Sequence, residues 1–173
     1  MLRKFNEIHS YLIDYPNIRK LVIFTDTHII YIVRSLNIIN QEIDKYYYQI
    51  DPSEFEFFYD TSYKVAERIS QLKAGIYHIE QIGSKYDNSW FIGVGKAPDS
   101  ENEKIEKAIA EWSDGDSVAA HIAIKGDYFC TKDVGKKGGK NSIFSKQNVA
   151  IIEKEYGFNK VSPLELLNII NKK

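Results

Sequence analysis

The sequence predicts an α/β domain organised around a mainly parallel sheet. Short apolar, β-rich runs at 20–25 (KLVIFT), 127–131 (DYFCT) and 158–162 (FNKVS) are separated by longer helical patterns. Runs of that length are too short for helices and read as strands. Strands alternating with helices give βα units, whose strands pair in parallel. Ligands of such sheets sit beyond the carboxyl ends of the strands, so the residues just after each run carry the functional argument.

A chain of 173 residues suits a single domain over 1–173. Its 43% hydrophobic and 27% charged residues are those of a folded, soluble chain rather than a disordered one. The net charge is -1, which neither predicts nor excludes nucleic acid, because a local basic patch suffices for that work. One cysteine, Cys130, cannot make an intrachain disulfide or a cysteine-based zinc site, and points to a reducing compartment. Charges interrupt the amino terminus, so it is no signal peptide, and no apolar run approaches the ~20 residues that span a bilayer. The expectation is a cytoplasmic protein with no membrane partner.

The elements follow in order. Leu2, Phe5, Ile8 and Leu12 recur at helical spacing, so 1–18 is expected as a helical extension ended by Pro16-Asn17. After the strand 20–25 comes an apolar helix at 28–44, then strand character at 46–50 (YYYQI). Asp51-Pro52-Ser53-Glu54 has the form of a helix start, with Asp51 as cap, and the helix runs on through Phe55, Val65, Ile69 and Leu72. Asp60-Thr61-Ser62 is its weak point. Two β-like runs, 76–82 and 89–94, flank a turn-rich stretch, and 75–97 is expected as a hairpin insertion. A charged helix over about 101–112 carries the apolar stripe Ile105, Ala108, Ile109 and Trp112. Ser113-Asp114-Gly115 reads as a break, and Asp116 as the cap of a second helix that Gly126 ends. A Gly- and Lys-rich loop fills 134–148, a helix fills 149–156 until Gly157 stops it, and Pro163 starts a terminal helix.

Asp26 follows the first strand, and Asp133 follows 127–131. Asp116 lies 17 residues before Asp133, a length that lets a helix and a strand double back to one edge. Each aspartate alone reads equally as a cap or a turn residue. Three converging carboxylates would repel one another unless a cation lay between them, and Mg2+ or Mn2+ suits an oxygen-only site. Such an ion stabilises charge on a phosphoryl oxygen, which points to phosphodiester hydrolysis. Asp114 and Thr131 are placed to orient a ligand or water from behind. Lys132, Lys136, Lys137 and Lys140, among glycines 135, 138 and 139, suit a phosphate backbone. The plainer alternative is a solvated loop. His9, His28, His78 and His121 lack zinc-site spacing. His121 reads as a hydrogen-bonded buried histidine, and Cys130 as packing.

The run DSVAAHIAIKGDYFCTKD and the later YGFNKVSPLELL resemble PIN-domain proteins, through Asp116, Thr131, Asp133 and Ser162 to Leu167, over about 114–168. FTDTHII offers Asp26 as the first acid, with His28 where that family has Asn. Glu56 best matches the family's early-helix glutamate, with Glu54 and Glu67 as alternatives. The resemblance implies a PIN-like three-layer α/β/α fold with a central, mainly parallel sheet. It also implies a Mg2+- or Mn2+-dependent endoribonuclease acting on single-stranded or structured RNA, with Asp26, Glu56, Asp116 and Asp133 as the catalytic set. Toxin–antitoxin toxins are among its relatives, so an antitoxin partner and a homodimer are further implications. Two other readings stay open. One is an inactive module that binds RNA or protein; the other is a phosphatase or nucleotide hydrolase using the same acids.

Overall fold

Between residues 102 and 123, small or apolar side chains recur three or four apart: Ile105, Ala108, Gly115, Val118, Ala119 and Ile122. That spacing is one face of one helix. The computed structural model describes residues 21–23, 55–135 and 139–171. Its elements are β1 (Leu21–Ile23), α1 (Phe55–Gln71), α2 (Tyr77–Gly83), α3 (Trp90–Lys96), α4 (Asn102–Ala123), β2 (Tyr128–Cys130), α5 (Lys146–Tyr156), β3 (Lys160–Val161) and α6 (Pro163–Asn171). Single 3-10 turns lie at Asp99–Glu101 and Gly139–Asn141.

The strands are parallel, in the order β1-β2-β3, and none exceeds three residues. Helices hold 69% of the described residues. The expected PIN-like three-layer fold around a central sheet is therefore corrected to a mostly helical body with a short parallel sheet. The expected strands at 20–25, 127–131 and 158–162 contain β1, β2 and β3 in turn. The extension 1–18, the helix 28–44, the strand 46–50 and the Asp51 cap lie outside the described residues.

Two local readings are also corrected. The expected hairpin at 75–97 is a pair of short helices. Ile76, Ile79 and Ile82 are three apart, and they pack with Ala108, Trp90, Val94 and Trp112 in one cluster. Glycines allow that pair to touch backbone to backbone. A Cβ on Gly83 would lie 1.9 Å from the Trp90 carbonyl oxygen, and one on Gly93 would lie 2.0 Å from that of Gly83. Asp87 then ties the connection, accepting from the Ser89 N–H at 2.9 Å and from the Lys96 ammonium.

The second correction is the break at Ser113-Asp114-Gly115, which does not occur. α4 is one helix of 22 residues. Gly115 is buried against α1 and the turn after it, where its added Cβ would meet Gly75 Cα at 2.9 Å. Gly75 itself has φ +60°, a conformation that glycine adopts without strain. Asp60-Thr61-Ser62 likewise leaves α1 unbroken.

The main core joins Val65 and Ile69 of α1, Val118 and Ala119 of α4, Phe129 of β2 and Ile152 of α5. A second cluster holds Cys130, Val161, Leu166 and Ile170, seating α6 on the sheet. Cys130 is buried packing, as expected. α6 begins with a reciprocal cap: Glu165 accepts from the Ser162 N–H at 2.7 Å, and Ser162 Oγ accepts from the Glu165 N–H at 3.2 Å. Gly157, at φ 69°, ends α5. Among the described residues, no helix is long and apolar enough to cross a membrane.

His121 is 1% exposed and lies edge-on to the rings of Phe129 and Phe158 at 5.4 and 5.9 Å. It is buried as expected, but neither ring nitrogen has a hydrogen-bond partner among the described residues. Burial pulls its pKa down to about 4, against weaker opposing pulls from the Gly126 backbone and Asp127.

Two outcomes are expected. Gly115→Ala should lower unfolding free energy in urea by roughly 1–2 kcal/mol, because overpacking outweighs the better helix former. Gly95→Ala, with nothing within 4 Å of its added Cβ, should raise it by roughly 0.5 kcal/mol. Equal effects would contradict the close contact at Gly115. For His121, the unfolded chain binds the proton more tightly than the folded chain. Its contribution is therefore complete above the unfolded value of 6.5 and is lost as pH falls towards 4. The loss should reach about 3 kcal/mol. Urea titrations across that window should show it in the natural chain and not in His121→Leu.

Candidate functional site

β2 delivers the chain to Thr131, whose N–H donates to the Val161 carbonyl at 3.0 Å and extends the sheet by one residue. Two tight turns follow. The Asp133 N–H donates to Thr131 Oγ1 at 3.0 Å, and the Gly135 N–H donates to Asp133 Oδ1 at 2.6 Å. Gly135 has φ +69°, and a Cβ there would sit 2.7 Å from the Phe144 carbonyl carbon and Ser145 N. The Thr-x-Asp-x-Gly sequence thus fixes Asp133 at the carboxyl end of the central strand, half-buried.

A carboxylate that feels the Asp133 charge is Glu111. It lies on the buried stripe of α4, three residues after Ala108 and four before Gly115. The Ser142 hydroxyl and the Ile143 N–H approach it. Ser142 is held in turn, since its Oγ accepts from the Phe144 N–H at 3.2 Å and its carbonyl accepts from Asn148 Nδ2 at 2.9 Å. Glu111 Oε2 is buried with no hydrogen-bond partner among the described residues. Desolvation raises the Glu111 pKa, and the Asp133 charge adds to it. Ser142, Ile143 and the nearby His78 oppose the rise. Two acids therefore share one field at the sheet edge.

Lys160 opens β3, in register with Phe129 of β2. Its ammonium lies 5.5 Å from the Phe144 ring centroid. Burial lowers its pKa, while Asp133 and Glu165 raise it.

The expected site residues are dispersed. Asp116 follows Glu111 by five residues, which turns it about 140° around the helix axis. It lines an open cleft of about 380 Å³ with Ile109, Trp112, Ser113, Ser117 and Ala120. Asp116 is exposed as a residue, while burial of its carboxyl against that face raises its pKa and Trp112 opposes the rise. It is mid-helix, not a cap. Asp114, three residues from Glu111, is on the Glu111 side and half-buried. Glu56 is exposed in the first turn of α1. There Phe57 meets Lys125 at 4.9 Å, so this end of α1 lies beside the far end of α4. Twelve residues of α4 separate Ala123, at that end, from Glu111, about 18 Å of helix. Glu67 is exposed. Thr131 Oγ1 accepts from the Asp133 N–H, and Lys132 is exposed. Asp26, Glu54, Lys136, Lys137 and the Lys140 side chain lie outside the described residues.

The sequence reading missed Glu111, Ser142 and Lys160. The signal for Glu111 was present: a carboxylate interrupts an otherwise small and apolar stripe, visible once 102–123 is read as one helix. Among the described residues no three His, Cys, Asp or Glu side chains gather as a metal-binding group. Glu111 and Asp133 nevertheless fit a hard cation in donor type, as two oxygen ligands, one with an unpartnered oxygen. No protein-family model, curated protein or solved structure matches the chain.

Proposed function

We propose that this chain is a metal-dependent hydrolase of RNA phosphodiester bonds, with Glu111 and Asp133 as its acid pair. The observation that carries this reading is the buried, unpartnered Glu111 Oε2, on a carboxylate that feels the charge of Asp133 after β2. Buried like charges disfavour folding, and such pairs recur where a cation or a proton is handled. The choice of RNA rests on the motif resemblance around Thr131, Asp133 and Ser162. The choice of phosphodiester chemistry rests on the acid pair and the lysine-rich segment after it.

Glu111 and Asp133 would hold Mg2+ or Mn2+ together with ligand atoms of the substrate. When bound, the cation supplies stabilisation of charge on the phosphoryl group. The protein's own contribution is positional. Thr131 and Gly135 fix Asp133, Ser142 and Ile143 approach Glu111, and the exposed Lys132 adds positive charge next to Asp133 in the chain. Asp116 and Glu56 are assigned no part in this pair.

A second reading is favoured by one detail. Asp133 Oδ1 already accepts from Gly135, which is the bond of a plain turn residue. On that reading the edge binds RNA without cutting it.

Cleavage of a labelled RNA in Mn2+ separates the two. Glu111→Gln and Asp133→Asn should each reduce the rate by about 100-fold or more, with far-ultraviolet circular dichroism unchanged. Asp116→Asn should stay close to the natural rate. Chelation by EDTA should stop cleavage. RNA binding without cleavage by the natural chain would favour the second reading. Full activity in Glu111→Gln would refute the acid pair.

A further inference from the structure

Two carboxylates at one sheet edge repel a polyanion, so an acid site that binds phosphate needs a cationic side chain within reach. Among the described residues Lys160 reaches this edge: its ammonium lies over Phe144, whose carbonyl carbon is 2.7 Å from the Cβ position of Gly135 in the Asp133 turn. Its backbone is fixed by pairing with β2, in register with Phe129. Its stem is half-buried, and its ammonium is steadied over the Phe144 ring at 5.5 Å. Phe144 is the next residue after Ile143, which serves Glu111, so the same segment shapes both sides of the site.

The charges around Lys160 are already engaged with other groups. Glu165 accepts from the Ser162 N–H at 2.7 Å in the cap of α6. Asp133 accepts from the Gly135 N–H at 2.6 Å. Both carboxylates act on Lys160 through space, yet among the described residues Lys160 forms no salt bridge. Lys96 pairs with Asp87, Lys104 with Glu101 at 3.1 Å and Lys107 with Glu103 at 2.6 Å, and the other described lysines outside salt bridges are exposed, so Lys160 is set apart by being half-buried. A half-buried ammonium with two carboxylates near it and neither in contact is placed to take an outside anion.

We infer that Lys160 is a phosphate-binding residue of this site, holding the backbone of the nucleic acid whose bond lies at Glu111 and Asp133. The inference rests on the proposed function for the identity of its ligand. Its own content is that the charge of Lys160 faces an incoming phosphate rather than serving the packing on Phe144.

The test uses the full chain and a fluorescein-labelled single-stranded RNA, with binding read by anisotropy in Ca2+ between 50 and 200 mM salt. Lys160→Met should weaken binding about tenfold and reduce the slope of log affinity against log salt by about 0.7. Lys160→Arg should keep most of the affinity, and Lys104→Met should change neither quantity. Thermal melts of each variant accompany the titrations. Natural affinity and slope in Lys160→Met would overturn the inference. So would an equal loss in Lys160→Arg, or no RNA binding by the natural chain. Lys160-dependent binding without cleavage in Mn2+ supports the inference and removes the hydrolase reading. Cleavage with Lys160→Met unaffected in affinity does the reverse.

Discussion

The arrangement depends on the close approach of Gly115 to Gly75. Helix α4 meets the turn after α1 backbone to backbone, since a Cβ on Gly115 would stand 2.9 Å from Gly75 Cα, with the Ile69 side chain of α1 next at 3.5 Å. That contact fixes both the depth and the rotation of α4. Rotation is what matters for the site. With Gly115 turned inward, Val118 and Ala119 enter the core below it, and Glu111 is carried to the sheet edge above it. Asp116, one residue on from the contact, is turned away.

The lower half of α4 bears the complementary constraint. His121 stands among Phe129 and Phe158, and Gly126 passes so close that a Cβ would lie 2.3 Å from the His121 ring. α4 is thus tied to β2 at one end by aromatic packing and to the Ser142–Phe144 segment at the other by polar contacts. Between them the chain turns from Gly126 into β2 and runs out to Asp133. Glu111 and Asp133 act on each other through space while helix and strand share one core.

Much of this was legible where the signal is local. The runs around β2 and β3, the Pro163 helix start, the Gly157 stop and the burial of Cys130 all follow from residues within a few positions of one another. The failures share a cause. Ser113-Asp114-Gly115 has the composition of a helix break, and tertiary packing on a glycine overrides it. The 75–97 stretch has β-like residues, but its isoleucines are spaced for a helix and its glycines serve helix contact. Misreading α4 as two helices then promoted Asp116 to a cap and hid Glu111 on the continuous stripe. Lys160 had no sequence signal at all, because its meaning comes from the loop that places Phe144 beneath it.

The central claim is that Glu111 and Asp133, rather than Asp116 and Glu56, form one cation-binding edge. Crystals of the full chain soaked in Mn2+ and measured at the manganese absorption edge test it directly. The expected result is an anomalous peak between the Glu111 and Asp133 carboxylates, lost in Glu111→Gln crystals of the same form. A peak at Asp116 or Glu56, or ordered crystals with no peak at Asp133, would contradict it.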